Sequence, residues 1–429
     1  MVACALFASP AALAAPASPL QELAQARRDL ASLVLAARAP GGVRVARSAE
    51  DEVARATDPA LWIDPAHVLA PGYGLVVFGR SRSALLDLRR APSGSLPAGS
   101  VTAAEHQILT ADRGLAEGSI LQALGGDGGL LSRARGMIIS GDRWSVTSRP
   151  DLAAEQYGAG WRAAFQALSL LVRVRVSFVS PSALAAGASR ALAGGARTRP
   201  AGVHVVSGRG PLELAGKPEL LSVGLESCPA CAIERWGLVV SLSQFGTFSN
   251  LRLGESAVGR RPFVPSFTFS GARYASPYLA FDAVEVSSDL PAPGGGFRTL
   301  DRLTPAQSRL LRGLDAREIA PFVDVGNQFA DVGATVSPGV AHGLSWSQVS
   351  ASVGRPRTPA GQAIAATAEV FTAEICRVTG GEPSSVCGSA VVQTYTNRSA
   401  GFGGAATGCP VGGGGARGAV RAARRVPAQ

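Results

Sequence analysis

The sequence predicts a mixed α/β (α+β) protein in which a mostly helical N-terminal region precedes a C-terminal domain built on a sheet. Three observations predict it. Apolar residues recur near helical spacing from residue 20 to about 185. The stretch "AAGASRALAGGARTRPAG" at 185–202 then loses that periodicity. Beyond it, short β-rich runs alternate with helical segments. A chain of 429 residues with 46% hydrophobic content has enough apolar material for two or three cores.

The first uncharged stretch, "MVACALFASPAALAAPASP", contains Ala12-Leu13-Ala14, which suits an A-x-A cleavage site closing a signal at residues 1–14. The cleavage site points to an exported protein of the cell envelope or the extracellular space; a positive n-region is missing, so the segment is expected to be a truncated signal peptide, with a plain Ala-rich tail as the alternative. The other reading of "VAC" is a lipoprotein signal with Cys4 as the lipidated residue. No later run reaches the ~18 uncharged apolar residues of a membrane span. "AFQALSLLVRVRVSFV" carries Arg173 and Arg175 and reads as a buried helix running into a strand.

In the mostly helical region, residues 15–185, "SPLQELAQARRDLASLVLAAR" has Ser18 as its candidate cap, and Thr102 with Glu105 has capping-box spacing. "GGDGG" at 125–129 ends that second helix. It is a turn rather than a phosphate loop, because no GK[ST] follows. A third helix spans about Leu152 to Leu171, with Tyr157, Trp161, Phe165 and Leu168 as a core stripe. After a linker at 186–202, the domain at 203–396 contains the runs "VHVVSG", "ELLSVGL", "SFTFSG", "YLAFDAVEV" and "APFVDVG". Between them lie helical segments at 231–245, about 303–316, 345–353 and 359–378. The Gly/Arg-rich tail, residues 397–429, is expected to be disordered.

The net charge of +10 comes almost wholly from arginine, Lys217 being the only lysine. These arginines are scattered and rarely interleaved with aromatics, so codon bias explains them and no nucleic-acid partner is expected.

The chemistry-bearing stretch is "ESCPACAIERW" at 226–236. A short apolar strand ends at Cys228, and "PACAIERWGLVVSLSQF" continues with helical periodicity. Pro229 falls at the first helical position, where its missing N–H costs nothing. Cys228 is thereby placed at the helix N-cap, where unpaired N–H groups and the positive end of the dipole favour a thiolate. Cys231, one turn further in, would resolve a mixed disulfide formed at Cys228. A zinc site would need two more ligands. There is no second CxxC, and His67, His106, His204 and His342 share no ligand spacing, so no metal and no cofactor beyond the cysteines is expected. A structural disulfide is the other reading of the pair.

Farther along, "EIAPFVDVGNQF" places Pro321 at the start of a strand. This resembles the proline that opens a strand beside the CxxC of thioredoxin-like oxidoreductases. There the bond is cis, and the residue before it, here Ala320, offers backbone hydrogen bonds to the substrate chain. An ordinary trans edge-strand proline fits the sequence as well.

Residues about 203–395 resemble domain of unknown function family 929, uncharacterised proteins with a thioredoxin-like fold. The resemblance rests on "ESCPACAIERWGLVVSLSQFGTFSNL", "PSFTFSGARYASPYLAFDAVEV", "APFVDVGNQF" and "ICRVTGGEPSSVC". The family's usual pair is Cys-Pro-Tyr-Cys; Ala230 stands here in place of the tyrosine. The resemblance implies a thioredoxin-like C-terminal domain and thiol-disulfide chemistry. Glu234 and Arg235, one turn after Cys231, are candidate pKa modulators or a proton relay, with a solvated helix pair as the plainer reading. Trp236 is expected in the core. Cys376 and Cys387 frame "RVTGGEPSS". They read as a structural disulfide worth ~2–4 kcal/mol, with a second redox pair serving Cys228 as the alternative. Cys409 is left as a spare or as a site of intermolecular pairing.

The expected function is an exported thiol-disulfide oxidoreductase acting on cysteine-containing envelope or secreted proteins, with a membrane electron-transfer partner. Cys228 is its nucleophile, Cys231 its resolver, and Ala320 and Pro321 shape the substrate groove. The competing expectation is a non-catalytic thioredoxin-like binding or scaffold module with a structural CPAC disulfide. Hydrolase chemistry finds no support, because the chain has no G-x-S-x-G elbow.

Overall fold

The computed structural model describes residues 17–64, 68–194, 204–256, 263–292, 295–398 and 408–411. The expected signal segment, the whole stretch at 195–203 and most of the tail lie outside the described residues.

Proline and capping side chains punctuate the helical region. Helices α1 (Pro19–Ala36), α2 (Pro40–Ala56), α6 (Pro150–Ser177) and α7 (Pro181–Ala193) each open on proline. Between them come a ribbon, β1 (Trp62–Asp64) and β2 (Val68–Leu69), and helices α3 (Gly74–Arg89), α4 (Ala98–Gln122) and α5 (Gly128–Ser145). Ser18 and Gln21 form a reciprocal capping box on α1, and Asp127 caps α5 within the "GGDGG" turn. Tyr157, Trp161 and Leu168 are buried, and Phe165 stacks on Trp161 with ring centroids 5.2 Å apart.

Three expectations for this half need correction. Helix α4 starts a turn before Thr102, directly after Pro97, so the Thr102 hydroxyl bonds the Ala98 carbonyl instead of capping. The run "LLVRVRVS" stays helical to Ser177 instead of turning into a strand. Val172 and Val176, four apart, both enter the core, while Arg175 reaches out to the Ser347 carbonyl at 3.0 Å. The expected linker at 186–202 begins as helix: α7 continues to Ala193 with Leu184, Gly187, Ala188 and Ala191 buried. Small residues that resemble a linker in sequence are here the close-packing face of a helix.

The C-terminal half is organised around strand β5 (Lys217–Gly224), preceded by β3 (His204–Val205) and β4 (Glu213–Leu214). Helix α8 (Pro229–Leu242) follows it. Then come β6 (Thr247–Ser249), β7 (Arg252–Glu255), β8 (Pro265–Thr268), β9 (Arg273–Ala275), β10 (Ala280–Glu285), β11 (Ser287–Pro291) and β12 (Phe297–Thr299). After α9 (Pro305–Leu314) the chain forms β13 (Ile319–Ala320), β14 (Phe322–Val325) and β15 (Phe329–Val332). It ends through α10 (Trp346–Val353), α11 (Pro359–Val378), α12 (Ser384–Cys387), α13 (Ala390–Arg398) and β16 (Cys409–Pro410).

The main sheet has the order β10-β5-β14-β15-β3, with β4 also paired to β5. Strand β10 runs parallel to β5, from Ala280 opposite Glu219 to Glu285 opposite Gly224. Strand β14 is antiparallel to β5 on its other side and forms a hairpin with β15 through Gly326 and Asn327, both at positive φ. The parallel pair needs a crossover, and α8 supplies part of it. Helix α8 is apolar nearly all round and correspondingly buried, from Ala230 to Leu242. The expected core residue Trp236 has no exposed surface; it packs edge-on against Phe267 and donates its indole N–H to the Pro265 carbonyl.

Both halves share one apolar core, which runs from Leu23 to Tyr395 and includes the contacts of α7 with α11. Helix α8 packs tightly on α11 at Gly237, where a Cβ would stand 2.1 Å from Thr367 Cγ2. Gly237→Ala is therefore expected to cost about 1–3 kcal/mol in urea unfolding; an unchanged midpoint would show that the two helices can separate without penalty.

Candidate functional site

The site forms where β5 hands over to α8. Leu220, Leu221 and Val223 anchor the strand in the core, and the chain turns at Glu226 so that Cys228 becomes the N-cap of α8, in extended conformation. Among the described residues no side chain caps this helix end, so its first N–H groups face the Cys228 region. Strand β13 approaches from the other side: Cys228 Sγ lies 3.9 Å from the Ala320 carbonyl oxygen, and the Ala320–Pro321 peptide is cis. The structure thus brings Cys228, Cys231, Ala320 and Pro321 together from positions about 90 residues apart.

The expected pairing of Cys228 with Cys231 requires correction. Cys228 is bonded to Cys409, with Cα atoms 6.1 Å apart, and Cys231 is a free, buried thiol. The cause is a strand pairing across the sequence. Residues 408–411, placed in the tail that was expected to be disordered, run antiparallel to β13, with Cys409 opposite Ala320 and Pro410 opposite Ile319. Val411 N–H donates to the Glu318 carbonyl at 2.8 Å and closes the register. Cys409 is thus neither spare nor free for intermolecular pairing in this state. The tail expectation fails at its start as well, since α13 runs on to Arg398.

Burial pushes the Cys231 thiol up to about 12, against the lowering effect of the Arg235 guanidinium. Arg235 and Glu234 are not a solvated pair. Arg235 forms a buried two-point ion pair with Glu285, Nε to Oε1 at 2.8 Å and Nη2 to Oε2 at 2.6 Å. Glu234 Oε2 accepts from the Thr335 N–H at 2.9 Å and from its hydroxyl at 2.8 Å, and burial lifts its carboxyl to about 8. Glu285 ends β10 beside Gly224, so the parallel register delivers the carboxylate to the start of α8.

Cys376 and Cys387 are bonded, with Cα atoms 5.5 Å apart, and tie the end of α11 to α12. Among the described residues no group of His, Cys, Asp and Glu is arranged to hold a metal, and no single helix is long and apolar enough to cross a membrane.

Residues 207–291 match the family model of a domain of unknown function, DUF929. The match covers this segment and no more of the chain. No curated protein and no solved structure matches the chain significantly. The DUF929 segment contains β5, the CPAC motif, α8 and Glu285, whereas Ala320, Pro321 and Cys409 lie beyond it. It also supplies one wall of a cavity of about 440 Å³, lined by Glu226, Glu255 and Asp289 and, from the helical region, by Tyr73 and Arg173. Burial raises all three carboxyls, Glu226 to about 6. Sequence reading missed this cavity, and it missed Glu285 and Thr335, because each is brought in by a separate element and carries no local motif.

Proposed function

We propose that the chain is a thiol-disulfide oxidoreductase of an oxidising compartment, the cell envelope or the extracellular space, acting on cysteines of extended polypeptides. The observation that carries this reading is the setting of Cys228: a cysteine at an uncapped helix N-terminus, 3.9 Å from the Ala320 carbonyl and already joined to the cysteine of a strand lying on Ala320. The strand order β10-β5-β14-β15, with α8 after β5 and α11 after the hairpin, fits the thioredoxin-like arrangement expected from the sequence and supports the same reading. So do the two disulfides, which persist where glutathione does not reduce them.

In this mechanism the α8 N-terminus holds the Cys228 thiolate, which attacks a substrate disulfide and forms a mixed disulfide, releasing the substrate's other sulfur as a thiolate. Cys231 then attacks Cys228 Sγ, forming the Cys228–Cys231 disulfide as the mixed disulfide breaks and the substrate's first sulfur leaves as a thiolate. The Cys231 thiol must first lose a proton; Arg235 favours the thiolate, and Glu234 is the candidate acceptor. Backbone groups of Ala320 position the substrate strand, and Pro321, lacking an N–H, leaves that edge to the substrate.

A second reading is a scaffold in which the Cys228–Cys409 bond is a permanent clamp, which the burial of Cys228 favours. Equilibrating the full chain with glutathione buffers and mapping the alkylated cysteines separates the two. A potential at Cys228 within about −120 to −270 mV, with exchange activity abolished by Cys228→Ser, supports the oxidoreductase. A value below about −300 mV marks a structural bond and supports the scaffold.

A further inference from the structure

The segment Gly408–Val411 lies where a substrate of this site would lie. It is extended, it adds to the open edge of β13 by backbone pairing, and its cysteine is bonded to Cys228. It fits the edge closely: at Gly408 a Cβ would stand 2.3 Å from the Ala320 carbonyl oxygen and 2.4 Å from Ile319 Cγ2. Cys409 and Val411 are half-buried against the core, so the segment is seated and not merely tethered. Resting on the oxidoreductase reading, we propose that Gly408–Val411 is an internal substrate that occupies the groove as a mixed disulfide, and that external substrates are extended polypeptides with glycine immediately before the reacting cysteine.

Release balances without an outside reagent. The Cys231 thiolate attacks Cys228 Sγ; the Cys228–Cys231 bond forms as the Cys228–Cys409 bond breaks. The electron pair leaves on the Cys409 sulfur, which takes up a proton equivalent to the one lost by Cys231, so the number of disulfides is unchanged. The tail is then free to leave β13, and the edge is open.

The test uses full-length Cys231→Ser and Cys231→Ser/Cys409→Ser chains, purified without reductant and checked for folding by circular dichroism. Each is mixed with Thr-Gly-Cys-Pro-Val or Thr-Ala-Cys-Pro-Val peptides whose cysteine is activated as a thionitrobenzoate disulfide, and labelling of Cys228 is read by peptide mapping. Cys231→Ser should carry a Cys228–Cys409 linked peptide and leave Cys228 unlabelled, while the double variant labels Cys228, with the glycine peptide faster by roughly tenfold or more. The peptide ratio is also read on mildly reduced wild-type chain, which requires no substitution. Labelling of Cys228 in Cys231→Ser, with no linked peptide, overturns the internal substrate while leaving the oxidoreductase reading intact. Equal rates for the two peptides overturn the glycine requirement. A double variant whose Cys228 reacts with neither peptide overturns the inference together with the reading beneath it.

Discussion

Arg235→Ala is expected to lower the unfolding free energy by about 3–5 kcal/mol, because it leaves the Glu285 carboxylate buried without its countercharge. The pair is almost fully excluded from solvent, with side-chain exposures of 3% and 2%, so water cannot replace the lost guanidinium. Glu285→Ala should cost a similar amount, since the guanidinium would then be the orphan; its Nη1 already makes no hydrogen bond among the described residues. The double change Arg235→Met/Glu285→Leu should restore most of the loss, because replacing both charges also removes both desolvation penalties. Urea unfolding of the three variants checks this, with an unchanged slope as the sign that only stability has moved. Single variants within ~1 kcal/mol of wild type would mean that water reaches the pair. Because Arg235 also favours the Cys231 thiolate, a variant that still folds should resolve mixed disulfides more slowly.

The second large effect is one of pH. Glu234 is raised from 4.5 to about 8 by burial, although two hydrogen bonds from Thr335 favour its charged form and Asp331 adds to the rise. The folded state thus holds this proton more tightly than the unfolded state does. Below pH 4.5 both states are protonated and there is no penalty; as the pH climbs towards 8 the unfolded state sheds the proton first, and stability falls. Glu369 and Glu226, raised by burial to about 7 and about 6, add to the same slope. Glu234→Gln keeps an oxygen for Thr335 and removes the titration. The variant should therefore lose roughly 4 kcal/mol less than wild type between pH 5 and pH 8.5, measured from urea midpoints at the two pH values. Equal losses would place the pH dependence elsewhere.

Much of the framework follows from local rules that the sequence carries by itself. Ser18 with Gln21, Pro150, Pro181, Pro229 and Pro305 mark helix starts because a cap or a missing N–H acts within one turn. Helices α10 and α11 fall on the expected segments, 345–353 and 359–378, for the same reason. Cys228 at the head of α8 is equally local, as the strand, the proline and the helical periodicity are contiguous. The mixed helix-and-sheet class and the DUF929 assignment were legible at this level.

What the sequence could not determine depends on which residues meet across the fold. Thr102 has capping-box spacing but lies inside α4, since the helix starts a turn earlier, after Pro97. The Ala/Gly run at 186–193 could be read as a linker until α11 was there to pack against it. Two residues between Cys228 and Cys231 made them look like a pair, yet the strand formed by Cys409 opposite Ala320 brings a different sulfur to Cys228. Glu285 becomes the partner of Arg235 only through the parallel register of β10 on β5. Sequence spacing governs contacts within a turn of helix or a pair of adjacent residues; disulfide partners, buried ion pairs and carboxyls raised by burial are decided by the packing of distant segments, and tertiary structure alone sets those.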